Sequence, residues 1–297
     1  MALENAPPLG TGMLPADTYK GRTVYVTGGG TGLGKAIAIE FARAGAMVAI
    51  ASRNADHRAQ GVAAIEAIGG KAFGTAVDVR QPESIAKSFD EVEAALGPIS
   101  VLINNAAGNF AAPAERLSAN AWTAVINIVL NGTFFCSTEF ARRCMARKTG
   151  GAILNIGATY AWTGGPAASH SAAAKAGVTN LTQTLAVEWA PDNIRVNCLA
   201  PGLFPAKDRS EQIMSMKGGQ PRGGETIPGG RVGEAHELGW AATYMCSPFA
   251  AYLTGHTLVL DAGNWLRRYG FGMPDFEPVR DKFDRLQAEA AARDAAE

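Results

Sequence analysis

The sequence predicts a single α/β domain built on a doubly wound parallel sheet with helices on both faces. Three observations support this. Strand-like runs alternate with helix-period segments from Arg22 onward, the strand runs are continuously apolar, and glycine is abundant where runs end. Glycine accounts for 35 of 297 residues, about 12% against a usual share near 7%. With 15 Pro and no Gly-X-Y period, that excess points to tight turns rather than to collagen or a linker.

Taken in order, residues 1–20 carry Gly, Pro and Thr without periodicity and read as an irregular arm. TVYVTG (23–28) is a β-branched run ending in glycine, KAIAIEFARAGA (35–46) has helical spacing, and MVAIASR (47–53) is a second strand. A helix to about Ile68 precedes the strand KAFGTAVDV (71–79). A helix over Pro82–Leu96 then leads into SVLINNAAG (100–108). One long helix covers about Ala119–Met145, followed by the strand GAILNIGA (151–158) and a helix from about Ser169 to Ala190. The strands IRVNCLAPG (194–202) and HTLVLDAG (256–263) complete the pattern. The domain spans 21–278, and a Gly/Pro-rich loop at about 203–233 is a candidate substrate lid beyond a strand end. Residues 279–297 read as an exposed helical or disordered tail.

Composition excludes several classes of function. Lys+Arg and Asp+Glu number 27 each, so there is no electrostatic case for binding nucleic acid. No run of 18 uncharged apolar residues stands out, and a membrane span is not expected. The amino terminus lacks the regions of a secretory signal, and Ala-Ala-Glu at the end is not a peroxisomal address. Cys136, Cys144, Cys198 and Cys246 show no C-x-x-C and read as buried reduced thiols, so a cytoplasmic protein is expected. The histidines have no metal-ligand spacing, and no metal is expected.

TGGGTGLGK (27–35) follows a strand and opens a helix, which is the context a dinucleotide-binding turn requires. Gly28, Gly30, Gly32 and Gly34 allow the sharp turn and the approach of a pyrophosphate to the helix amino end, with Thr31 and Leu33 between them. At the end of the second strand stands Ser52-Arg53 with no acid. Arg53 suits a ribose 2′-phosphate and Ser52 adds a hydroxyl, so NADP(H) is the expected cofactor.

With Asp78-Val79, NNAAG (104–108) and Pro201-Gly202, this turn resembles the short-chain dehydrogenase/reductase family over about residues 20–265. The resemblance implies a Rossmann-type fold and a tetramer. It also implies that Asp78 lies near the adenine, that Val79, Asn105 and Ala106 line the cofactor, and that Pro201, Gly202 and Leu203 face the nicotinamide. The family's proton-shuttling pattern is a serine and then Tyr-x-x-x-Lys. Here Lys175 is present, but Ser171 stands where the tyrosine belongs, Ala158 where the serine belongs, and Val129 at the helix asparagine. Ordinary ketone–alcohol chemistry is therefore disfavoured, since a serine hydroxyl is too weak an acid to take over.

NNAAGNF (104–110), ERLS (115–118), NGTFF (131–135), AVEWAPDNIRVNCLAPG (186–202), Gly263-Asn264-Trp265 and Met273-Pro274-Asp275-Phe276 resemble the 2,4-dienoyl-CoA reductases within that family. In their mitochondrial type a tyrosine lies eleven residues before the serine of Ser-x-x-x-Lys, which is the Tyr160–Ser171 spacing. The acid that the peroxisomal type carries four residues after the lysine is here Thr179. The resemblance thus implies NADPH-dependent reduction of an acyl-CoA in fatty-acid metabolism. Tyr160 and Asn109 would be oxyanion donors, Lys175 and Ser171 their supports, and Arg80, Phe110 and Ser118 acyl-CoA contacts. Other readings are a pocket wall for Tyr160, the adenine side or solvent for Arg80, and a turn brace for Asn109. His170 either reaches the pocket or serves the core, and Arg142, Arg143, Arg147 and Lys148 read as a solvated face. Another conjugated carbonyl substrate, or a catalytically silent NADP-binding protein, are the alternatives for the whole chain.

Overall fold

The computed structural model describes residues 3–205, 227–266 and 279–294. Seven strands form one sheet: β1 (Thr23–Thr27), β2 (Met47–Ser52), β3 (Lys71–Ala76), β4 (Ile99–Asn104), β5 (Gly151–Ile156), β6 (Ile194–Pro201) and β7 (Thr257–Leu260). Their order is β3-β2-β1-β4-β5-β6-β7, and every pair is parallel. The helices are α1 (Gly32–Arg43), α2 (Ala55–Glu66), α3 (Pro82–Leu96), α4 (Ala119–Ile126), α5 (Gly132–Arg147), α6 (Tyr160–Thr163), α7 (Ser169–Trp189), α8 (Ala235–Cys246) and α9 (Val279–Asp294).

Alternation along each strand sends neighbouring side chains to opposite faces. Val24, Val26, Val48, Ile50 and Leu154 pack on one face under Ile37 and Phe41 of α1 and Leu238 and Met245 of α8. Tyr25, Ala49, Leu102 and Ile153 pack on the other under Phe89 of α3, Phe140 of α5 and Leu185 of α7. Two apolar faces explain the continuous runs in the central strands. The edge strands depart from that expectation: in β3 only Thr75 is buried, and all of β7 is half-exposed, because each has a neighbour on one side alone.

Other expectations need correction. The third strand stops at Ala76 rather than reaching residue 79. The last one stops at Leu260, where Asp261 accepts hydrogen bonds from the N–H groups of Gly263 and Trp265 and turns the chain. The single long helix is broken by a π-turn over Asn127–Asn131, in which Asn131 Nδ2 donates to Asn127 Oδ1 at 2.8 Å. Residues 119–138 carry no charge, and Ala119–Arg147 is long and apolar enough by composition to cross a membrane. Here its apolar side chains Val125, Val129 and Phe140 are buried against α7 and the sheet. α8 answers to no predicted element. It starts with a reciprocal Glu234–Glu237 capping box, and Gly239 lets it lie directly on Glu40 of α1.

The basic cluster at the end of α5 is solvated only in part: Arg142 and Lys148 are exposed, but Arg143 and Arg147 are held by acids. Arg143 reaches Glu139 at 2.7 Å, Asp90 at 2.8 Å and Glu93 at 3.0 Å, while Arg147 reaches Glu93 at 2.9 Å, bracing α5 against α3. The arm is irregular yet docked: Leu3 N–H donates to Gly229 O at 2.7 Å, and Pro7 O lies 3.0 Å from His236 Nε2. Tyr19 is fully buried, edge-on to Phe41, and its hydroxyl donates to Thr243 O at 2.5 Å. Of the tail, α9 is exposed and carries a forked ion pair from Arg116 to Asp284. All four cysteines are buried free thiols.

Tyr19→Phe removes that buried donor and leaves the Thr243 carbonyl without it. Denaturant unfolding should show a loss of about 1–3 kcal/mol, and an unchanged midpoint would show that the bond contributes nothing.

Candidate active site

The strand order reverses between β1 and β4, and a crevice opens there beyond the carboxyl ends of the strands. Thr27 and Asn105 span it. Thr27 Oγ1 accepts from the N–H groups of Asn105 and Ala106, both at 2.9 Å, and Asn105 Nδ2 donates to Thr27 O at 2.9 Å and Gly28 O at 3.1 Å. Gly28 and Gly32 have φ of +64° and +55°, which favours glycine. At Gly34 a β-carbon would stand 2.3 Å from Gly28 O and Asn105 Nδ2, and at Gly30 it would stand 2.0 Å from His57 O. The turn therefore closes only without side chains there. Thr31 is the N-cap of α1 but makes no side-chain cap bond, and Leu33 packs on the sheet core.

Ser52 is half-buried and Arg53 exposed at the end of β2. Arg58 of α2, which the sequence reading passed over, donates from Nη1 to Ser52 O at 2.8 Å and Arg53 O at 2.9 Å. Its guanidinium thus stands beside the β2 end and pins the turn that presents Arg53. Asp78 accepts a fork from Arg80, with Nη2 to Oδ2 at 2.5 Å, which lowers the Asp78 pKa. Arg80 is exposed and its guanidinium is engaged by the Asp78 carboxylate. Val79 is buried against Gly132. At the far side Pro201 ends β6, Gly202 N–H donates to Leu260 O at 2.9 Å, and Leu203 is exposed.

Tyr160 opens the one-turn α6, and Ser171 and Lys175 lie four residues apart on α7, on one face. The Tyr160 hydroxyl and Ser171 Oγ are hydrogen-bonded at 3.0 Å, so the structure joins the two residues that the resemblance singled out. Lys175 is buried and its ammonium donates to the Ile156 carbonyl at the end of β5. Burial pushes its pKa down to about 8, with the Cys198 thiol acting weakly the other way. Ala158 is buried nearby and offers no hydroxyl.

The remaining expected residues are less tightly gathered. Asn109 is exposed on the β4–α4 segment, with no hydrogen bond to Tyr160, Ser171 or Lys175. Phe110, half-buried, meets the ring of His170. The Ser118 hydroxyl caps α4 by accepting from Ala121 N–H at 3.2 Å, a local structural role. Most of the expected 203–233 lid, and the segment Met273-Pro274-Asp275-Phe276, lie outside the described residues. Among the described residues no cluster of His, Cys, Asp and Glu could hold a metal.

Fold and site together define an oxidoreductase on a doubly wound sheet. A family model described as enoyl-(acyl carrier protein) reductase matches residues 28–264, and the chain belongs to that family, the short-chain dehydrogenases/reductases. It is 41% identical to a probable 2,4-dienoyl-CoA reductase, (2E)-enoyl-CoA-producing, of Bacillus subtilis (strain 168), over 84% of this chain and 99% of that one. It is 37% identical to the peroxisomal 2,4-dienoyl-CoA reductase, (3E)-enoyl-CoA-producing, of Rattus norvegicus, over 84% and 86%. Among solved structures it is similar to a gluconate 5-dehydrogenase from Burkholderia cenocepacia J2315 in complex with NADP and tartrate. That match has a TM-score of 0.78 at 30% identity, over 85% of this chain and 99% of that one.

Lys175 has a sign-definite consequence for stability. Its folded pKa of about 8 lies below the unfolded value of 10.5, so between these values the unfolded chain binds more protons and stability rises with pH. The unfolding free energy of the wild type, relative to Lys175→Met, should climb across that window and be flat below it. A flat difference throughout would contradict the burial of a charged lysine.

Proposed function

We propose that the protein reduces a 2,4-dienoyl-CoA thioester to a 3-enoyl-CoA, with NADPH as reductant. The observation that carries this reading is the Tyr160–Ser171 pair at 3.0 Å, beside a buried Lys175, with no tyrosine four residues before the lysine. Such a site can donate a hydrogen bond to a developing oxyanion, and it lacks the acid that a ketone–alcohol reaction needs. The names of the relatives agree with the reading.

The crevice fits a nicotinamide dinucleotide. The glycine turn closes only without β-carbons at Gly30 and Gly34, α1 directs its amino end into the crevice, and Arg53 and Arg58 stand where a 2′-phosphate would need cations. When bound, the reduced cofactor supplies a hydride to the δ-carbon of the dienoyl chain. Negative charge then collects on the thioester oxygen. The Tyr160 hydroxyl, oriented by Ser171, donates to that oxygen, and Asn109 from the β4–α4 segment is the second donor. One pre-positioned donor of this kind contributes about 3–4 kcal/mol to the rate. Lys175 holds the ribose hydroxyls and keeps the local potential positive. Water protonates the dienolate at the α-carbon, giving the 3-enoyl product. Protonation at the γ-carbon would give the 2-enoyl product named for the Bacillus relative, and product analysis separates the two. A cytoplasmic homotetramer is part of the same reading, supported by composition and family resemblance.

Three measurements test it. Mixing the protein with NADPH and a medium-chain 2,4-dienoyl-CoA should oxidise NADPH rapidly and NADH poorly. NADPH binding without oxidation would favour another conjugated substrate or a silent protein. Tyr160→Phe should lower kcat by about two to three powers of ten with NADPH binding nearly unchanged, and a wild-type rate would mean the donor is another group. Arg53→Glu should shift preference toward NADH, and an unmoved preference would contradict its role.

A further inference from the structure

Two features stand out at the head of α7. Ala167 has φ +62°, a left-handed conformation that a β-carbon disfavours. His170 has no exposed surface, and neither ring nitrogen makes a well-formed hydrogen bond, although the Ala168 backbone lies close enough to act on the ring. Native interiors pair nearly all buried polar atoms, so an orphaned imidazole demands a reason. A phenyl ring would occupy the same place without unpaired nitrogens. Burial also lowers the His170 pKa, which keeps the ring neutral, with one nitrogen a donor and the other an acceptor.

Both features adjoin the β4–α4 segment that carries Asn109. The Ala112 N–H donates to the Ala167 carbonyl at 3.0 Å, and the Phe110 ring meets His170 at 4.5 Å, tilted 66°. Phe110 is half-buried and is the aromatic cover over the imidazole. In the chain His170 directly precedes Ser171, whose hydroxyl holds Tyr160. The imidazole thus sits at the head of α7 beside the donor pair's element, with Phe110 against its ring. Strain and an unpaired polar group meet at one place, as they do where a structure is set up for a ligand.

We propose that His170 is a substrate-binding residue: an acyl thioester entering beside Tyr160 displaces Phe110, and the uncovered imidazole hydrogen-bonds the thioester's polar arm. This rests on the acyl-CoA reading of the site, and it adds a polar contact reached only after the aromatic cover moves.

The test is binding, so that it does not depend on turnover. Hexanoyl-CoA, which cannot be reduced, is titrated calorimetrically into the full-length protein with NADP+ present, for the wild type, His170→Phe and His170→Gln. His170→Phe should weaken hexanoyl-CoA binding about tenfold, the worth of one neutral hydrogen bond. It should leave NADP+ affinity unchanged and keep or raise the thermal midpoint. His170→Gln, with a donor and an acceptor, should recover part of the binding. Equal affinity in wild type and His170→Phe overturns the proposal and spares the acyl-CoA reading. A lowered midpoint in His170→Phe assigns the ring to the fold and also overturns it. No binding of hexanoyl-CoA by the wild type overturns both.

Discussion

Thr27 and Asn105 face each other where the strand order reverses, and their hydrogen bonds hold the carboxyl ends of β1 and β4 at a fixed separation. Much of the candidate site hangs from that edge. The glycine turn leaves β1, the Arg53 turn leaves β2, the Asp78–Arg80 pair follows β3 and the Asn109–Phe110 segment follows β4. Because Asn105 also touches Gly28 O and would collide with a β-carbon at Gly34, the same amide shapes the cofactor turn and joins the two halves of the sheet. A crevice held by these few side-chain-to-backbone bonds can keep its geometry while the other residues around it change chemistry.

Such a change is visible on α7. Burying a charged lysine is unfavourable for stability, and burial lowers the pKa of Lys175 to about 8. Retaining it beneath a serine in place of a tyrosine makes sense where charge must be steadied on an oxygen without a proton being passed. Tyr160 approaches from α6, a different element, and meets Ser171 rather than replacing the family tyrosine in place. Pre-oriented donors near a fixed positive charge are effective because they need little reorganisation as charge develops. The site therefore reads as a rearranged family site rather than an eroded one.

Much of this was legible in the sequence because it is written in local pattern. The βα alternation, the central strands and the Pro82–Leu96 helix follow from periodicity alone, and the Tyr160–Ser171 pairing from the family resemblance. What escaped depends on contacts between distant segments. α8 mixes small and large residues, and its packing against α1, through Gly239 on Glu40, carries no local signal. The π-turn adds a residue to a helical turn without disturbing composition. Arg143 and Arg147 look solvated until α3 brings Glu93 and Asp90 to them. Arg58 and His170 gain meaning only from the carbonyls and the ring they face, and the capping bond that Ser118 accepts from Ala121 was not foreseen.

The central claim is that hydride goes to a carbon remote from the carbonyl, with the carbonyl oxygen held by Tyr160. Isotope tracing addresses it directly. NADPH deuterated at the transferring position is turned over with hexa-2,4-dienoyl-CoA, and the product is read by NMR. The account requires deuterium at the δ-carbon and an intact thioester carbonyl. Deuterium at the carbonyl carbon would contradict it and return the protein to carbonyl reduction.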